Sequence, residues 1–205
     1  MGLRERVVCQ FGNPSGALGL VAGFIMFHRS SNLERIRWAV SLLNVQPKDC
    51  VLEIGFGPGI AIGMLGELTA GGQVYGIDHS QLMFEQASQR NRDFIQTGRV
   101  SLMVGSASRL PRFDRKLDKV LDINTFQFWD DPLTALKGVR EQLQPCGIVA
   151  IAHQPRNKGA TDDDTIKAGE RISQRLVASG FQEVRVELRR MNPVSAVCVI
   201  GKNPT

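Results

Sequence analysis

The sequence predicts an α/β fold: a doubly wound, seven-stranded, mostly parallel sheet with an antiparallel terminal strand pair and an N-terminal helical cap. Three observations carry that expectation. Short apolar runs alternate with stretches whose apolar residues recur at helical spacing, the pattern of parallel strands joined by crossover helices. The first such run passes through Glu53 into Gly55-Phe56-Gly57-Pro58-Gly59 and on into a helical pattern of Ile60, Ala61, Ile62, Met64 and Leu65. Near the C-terminal end, two strand-like runs at 181–187 and 195–201 follow one another with no helical pattern between them, so they pair antiparallel.

Each element has a local reason. Ser31 or Asn32 caps a helix through Leu33, Ile36, Trp38, Ala39, Val40, Leu42 and Leu43, which Pro47 stops. Strand 50–54 and a helix over about 59–70 follow, and Ala70-Gly71-Gly72 turns the chain into strand 73–77. Ser80 caps the next helix, whose buried stripe is Leu82, Met83, Ala87 and Phe94. Residues 100–104 and 119–123 form the third and fourth strands. Pro132 opens a helix to Leu143, and Pro145-Cys146-Gly147 turns into strand 148–152. A helix carrying Ile166, Ile172, Leu176 and Val177 begins after Asp162–Asp164 and ends at Gly180. Residues 1–45 are read as the cap segment and 46–205 as the ligand-binding domain of a single-domain chain. Within the cap, Gly16 to Phe27 is apolar but too short to span a bilayer, so stable membrane insertion is not expected.

The strand, loop and helix around Gly55, Gly57 and Gly59 bring bare backbone close to a ligand at a helix N-terminus. About twenty residues on, the second strand ends in Asp78, where a carboxylate grips the hydroxyls of a nucleoside ribose. The chain is therefore expected to bind a nucleoside-containing cofactor. A dinucleotide fingerprint would place glycine at position 60, which is Ile60 here, and this disfavours a nucleotide-dependent oxidoreductase.

The pattern Glu53-x-Gly55-x-Gly57-x-Gly59 resembles the first motif of class I S-adenosylmethionine-dependent methyltransferases, and the likeness extends over about residues 45–203. It implies a Rossmann-like methyltransferase fold, S-adenosyl-L-methionine as cofactor and methyl transfer to a small-molecule acceptor, as in the quinone- and lipid-modifying group. That cofactor has no phosphate but carries an ammonium and a sulfonium, which Glu53 suits. By the resemblance Asp78 takes the ribose hydroxyls, while His79 and Met83 line the adenine or methionine side. Ser106 and Ala107 stand where many relatives place an acid for the adenine amino group. Asn124 faces the methionine moiety, and Phe126, Phe128 and Trp129 lie on the acceptor side. Such N-terminal extensions often cap the acceptor pocket, which brings in Phe27 and His28, and His153 ends the fifth strand at the correct sheet edge. His153 and His28 are the candidate catalytic bases. Gln127 and Phe128 replace a histidine pair common in relatives, and no Asp–His pair is evident.

Bulk properties narrow the rest. The net charge of +5 is modest, and the basic clusters near 109–119 and 185–190 lack interleaved aromatics. A nucleic-acid partner is thus disfavoured, with an RNA methyltransferase as the alternative function. The cysteines Cys9, Cys50, Cys146 and Cys198 are far apart, which fits a reduced, cytoplasmic chain with no metal site. Nothing in the pattern sets an oligomeric state.

Overall fold

In the computed structural model, which describes residues 30–205, helix α1 (Ser30–Leu42) leads into β1 (Cys50–Ile54), α2 (Ile60–Leu68) and β2 (Gln73–Asp78). Next come α3 (Gln81–Arg90), the short α4 (Arg92–Gln96) and β3 (Val100–Val104), then β4 (Leu117–Ile123), α5 (Pro132–Gln142) and β5 (Leu143–His153). Helix α6 (Asp162–Ala178) and strands β6 (Gln182–Arg189) and β7 (Ala196–Lys202) complete the chain. All seven strands join one sheet in the order β3-β2-β1-β4-β5-β7-β6. Strands β1 to β5 run parallel, and β7 is antiparallel to both β5 and β6. This is the expected doubly wound sheet with its antiparallel terminal pair.

The side-chain period of two along each strand sorts the core into two layers. Val51, Val74, Leu121, Ala150 and Cys198 pack with α1, α2 and α3 on one face. Leu52, Ile54, Val120, Val149 and Val199 pack with α5 and α6 on the other. Strand β1 is buried along its whole length, as a central parallel strand covered on both sides must be. Helix α1 joins the first layer through Ile36, Ala39, Val40 and Leu43.

Several elements differ from the sequence reading. The stripe through Leu82, Met83, Ala87 and Phe94 is split at Asn91, because its side-chain amide donates to the carbonyls of Ala87 and Gly59, both at 2.9 Å, and Phe94 begins anew in α4. Strand β4 starts at Leu117, and β5 starts at Leu143 with Cys146 kinked at φ 63°. Helix α6 buries Thr165, Ala168, Gly169, Ile172 and Leu176, so Ile166 and Val177, each one residue off that stripe, face solvent at 46% and 60% exposure. Thr161 and Asp164 close the start of α6 with a capping box. Among the described residues, no helix is long and apolar enough to cross a membrane.

Leu52 is fully buried between β2, β4 and the second core layer. Leu52→Ala is expected to lower the unfolding free energy by about 2–5 kcal/mol, read from urea denaturation.

Candidate functional site

Strand order reverses between β1 and β4, so a crevice opens beyond their carboxyl ends, where open α/β sheets hold ligands. The glycine loop leaves β1 there, with Gly55, Gly57 and Gly59 at φ 75°, 51° and 77°. The three glycines answer different demands. A Cβ on Gly55 would stand inside the Thr125 side chain, and one on Gly59 would lie 2.6 Å from Asn91 Nδ2 and 2.7 Å from the Ala87 Cβ. A Cβ on Gly57 would meet nothing within 4 Å. Gly55 and Gly59 are thus glycine for the protein's own packing, and Gly57 alone presents bare backbone to open space.

Three buried carboxylates surround this loop. Asp78 accepts the Gly57 amide through Oδ2 at 2.8 Å and the Ser80 amide through Oδ1 at 2.9 Å. Burial raises its pKa, and those bonds and His79 partly oppose the rise. Half-exposed His79 stands with Nδ1 3.7 Å from Asp78 Oδ1. Glu53, only 3% exposed, has a pKa pushed well up, first by burial and then by the charges of Asp122 and Asp78. It accepts the Ile62 amide, but its Oε2 has no hydrogen-bond partner. Asp122, 1% exposed, accepts from the Thr125 hydroxyl and amide, the Phe126 amide and the Trp129 side chain, and burial still pushes its pKa up to about 7. Among the described residues, neither Glu53 nor Asp122 has an ion-pair partner. Buried acids with an orphaned oxygen and no base suit a cation-bearing ligand.

The remaining candidates are placed as follows. Met83 is buried in the core, and Ser80 caps α3 beside it. Ser106 and Ala107 are half-buried after β3, with the Ser106 hydroxyl accepting the Ser108 amide. Asn124, at φ 61°, clamps β4 to β5: its Oδ1 accepts the Gln154 amide at 2.8 Å and its Nδ2 donates to the Gln154 carbonyl at 2.9 Å. Phe126 sits in the core with its ring 4.9 Å from that of half-buried Trp129, while Phe128 is 52% exposed. His153 Nδ1 lies 3.2 Å from Gln127 Oε1. Burial first, then Arg35, Arg171 and Arg156, lower its pKa to about 4, so the ring is neutral at physiological pH. Phe27 and His28 lie outside the described residues.

Beyond β5, a cavity of about 290 Å³ is lined by residues 154–160 with Pro193 and Val194. Its wall residue Gln154 accepts from Arg35 Nη1 at 2.6 Å and donates to the Val194 carbonyl at 2.7 Å. Asp122, Thr125, Arg35 and Gln154 were not among the sequence candidates. An acid closing an apolar strand was a readable signal for Asp122, as it was for Glu53. Arg35 lies four residues before Ala39 on the buried stripe of α1, a charge where an apolar residue is the rule. Among the described residues, no group of three His, Cys, Asp or Glu side chains is placed to hold a metal ion.

A methyltransferase-domain family matches residues 52–151. The chain is 29% identical over 185 residues to an uncharacterized methyltransferase, YdaC, of Bacillus subtilis (strain 168), which covers 90% of this chain and 99% of that protein. In fold it resembles a SAM-dependent methyltransferase of Aquifex aeolicus, with a TM-score of 0.70 and 20% identity over 86% of this chain and 95% of that one. The N-methyltransferase NodS of Bradyrhizobium japonicum, solved with S-adenosylhomocysteine, gives a TM-score of 0.67 and 16% identity over 88% and 91% of the two chains. Fold, motif and relatives together define a methyltransferase. More particularly, its fold is that of the class I, S-adenosylmethionine-dependent methyltransferases.

Two outcomes follow from this geometry. Gly57→Val is expected to abolish S-adenosylhomocysteine binding at a cost of about 1–2 kcal/mol in stability from its left-handed backbone, whereas Gly55→Ala adds the clash with Thr125 to the same strain and costs roughly 1–3 kcal/mol more. Calorimetry and thermal melts on the two variants separate these effects. A cationic ligand gains as Asp122 loses its proton. The ratio of S-adenosylmethionine to S-adenosylhomocysteine affinity should therefore rise between pH 6 and 8, through the Asp122 pKa of about 7. A flat ratio would contradict the electrostatic role of these acids.

Proposed function

We propose that the chain moves a methyl group from S-adenosylmethionine to a small-molecule acceptor by in-line displacement. The observation that carries this reading is the open space over Gly57 beside three buried acids, two of which, Glu53 and Asp122, have no ion-pair partner among the described residues. When bound, the cofactor supplies an already activated methyl on a sulfonium, so the protein's task is alignment and exclusion of water.

In this reading Gly57 lies against the cofactor, Asp78 accepts the ribose hydroxyls, and Glu53 and Asp122 hold a negative field for its positive groups. His79 flanks the ribose, Ser106 and Ala107 border the adenine, and Asn124 faces the methionine moiety. Buried Met83 acts from behind, by setting the start of α3. Exposed Phe128 and half-buried Trp129 border the acceptor, with Phe126 as their support. A cavity of about 290 Å³ beyond β5 fits a small molecule better than a polymer. His153, with its lowered pKa, is a weak proton acceptor and a good hydrogen-bond acceptor, and so it orients the acceptor. Residues 1–45, with Phe27 and His28, would cover the acceptor. The free thiols of Cys50, Cys146 and Cys198 suit a reducing, cytoplasmic setting.

Asp78→Ala is expected to weaken S-adenosylhomocysteine binding about tenfold or more, since hydrogen bonds to a charged group contribute about 1.5–3 kcal/mol. Calorimetric titration checks this, with NAD as the comparison ligand. Unchanged affinity would remove Asp78 from the site, and preference for NAD would overturn the reading.

A further inference from the structure

Strand β6 closes one end of the sheet, and among the described residues no strand pairs with its outer side. Such an edge presents backbone N–H and C=O groups to a further strand. Val186 and Leu188 lie opposite Val199 and Val197 of β7, which places them on the face that α6 covers, yet they are 48% and 57% exposed. Helix α6 crosses β6 at Gly169, where a Cβ would lie 3.6 Å from Val186 Cγ1. On the helical period, Ile166 and Val177 flank Gly169 on that side, and both are exposed. Apolar surface is thus left open on two neighbouring elements at one sheet edge.

The other face of β6 carries charge that alternates in sign: Arg185, Glu187 and Arg189 lie opposite Ile200, Cys198 and Ala196. Within one copy, Arg185 Nε stands 3.5 Å from Glu187 Oε1, and so exposed a pair contributes little in water. The order Val184-Arg185-Val186-Glu187-Leu188 is its own complement. Run antiparallel against itself with Val186 opposite Val186, the strand sets Arg185 opposite Glu187 twice and Val184 opposite Leu188 twice. An axis at Arg185 or Glu187 would set that charge opposite its own copy, and one between residues would match the apolar face to the charged one. An axis at Leu188 would run the pairing past the end of the strand at Arg189. The flanking charges are held within each copy. Glu183, at φ 48° where the β6–β7 register shifts, pairs with Lys202 at 2.8 Å, and Arg189 pairs with Glu34 of α1 at 3.2 Å.

We propose that β6 is a self-recognition edge: two copies of the chain pair antiparallel through residues 184–188, about a two-fold axis at Val186, into one continuous sheet. Because the axis stands perpendicular to the sheet, both α6 helices lie on the same face beside the seam. Ile166, Val177, Val186 and Leu188 of the two copies then close over it. Backbone bonds and apolar contact supply affinity, while the charge order fixes the register and rejects unlike strands. Strands β4, β5 and β7 separate this seam from β1 and the glycine loop, so pairing leaves the cofactor crevice open.

The test is sedimentation equilibrium of the full chain over a range on the order of 1–100 µM, where a concentration-dependent monomer–dimer equilibrium is expected. Arg185→Glu and Glu187→Arg each set like charges across the seam and should weaken dimerisation about tenfold or more. Mixing the two single variants should restore association, because each then faces the unlike charge. The double variant Arg185→Glu, Glu187→Arg should likewise recover it, and this rescue shows that the single variants had not simply unfolded. A chain that stays monomeric throughout leaves the edge to an unlike partner and overturns the inference. So does a dimer that neither single variant weakens, or a mixture that fails to associate.

Discussion

Buried acids set the terms at the carboxyl edge of this sheet. Glu53, Asp78 and Asp122 arrive on β1, β2 and β4, the three strands that meet at the reversal of strand order. Left alone, such carboxylates would not tolerate burial. Backbone amides share the task of holding them: Gly57 and Ser80 on Asp78, Thr125 and Phe126 on Asp122, Ile62 on Glu53. The loops after β1, β2 and β4 are therefore shaped by the acids they serve. The crevice is preorganised because its walls double as the hydrogen-bond supply of its charged floor.

Across the Asn124–Gln154 clamp, the charges that act on His153 are those of Arg35, Arg171 and Arg156. A pair of amide side-chain bonds thus separates the acidic half of the edge from the half that carries His153. Trp129 and Thr125 tie the acidic half to the loop after β4, and Gln127 links that loop to His153. A shift of the β4 loop consequently touches both halves.

Much of this was legible in the sequence, for a physical reason. Parallel strands covered on both faces read as uninterrupted apolar runs, so Cys50–Ile54 and the strands beside it could be placed almost to the residue. The acid–glycine spacing located the loop, because left-handed backbone conformations leave a compositional trace. Long-range partners leave none. The stripe position of Arg35 marks it as buried, but its partner stays hidden until Gln154, 119 residues away, is brought to its guanidinium. The split at Asn91 depends on the carbonyl of Gly59 in another element, and the outward turn of Ile166 and Val177 depends on how α6 meets the sheet. Phe126 shows the same limit: aromatic character marked the acceptor side, but packing on Trp129 put its ring in the core.

The unequal roles of the loop glycines bear on descent. Gly55 and Gly59 are held by internal contacts with Thr125, Ala87 and Asn91 that any chain of this architecture must keep in order to fold, whether or not it still performs chemistry. Gly57 meets no such neighbour, and only its φ of 51° ties it to glycine. Selection for folding therefore holds the outer two more tightly than the middle one. A homologue that retains the flanking glycines but carries another residue at the central position would fold at a modest cost in stability and lose the ligand's approach, and the motif read position by position becomes a record of when activity was lost.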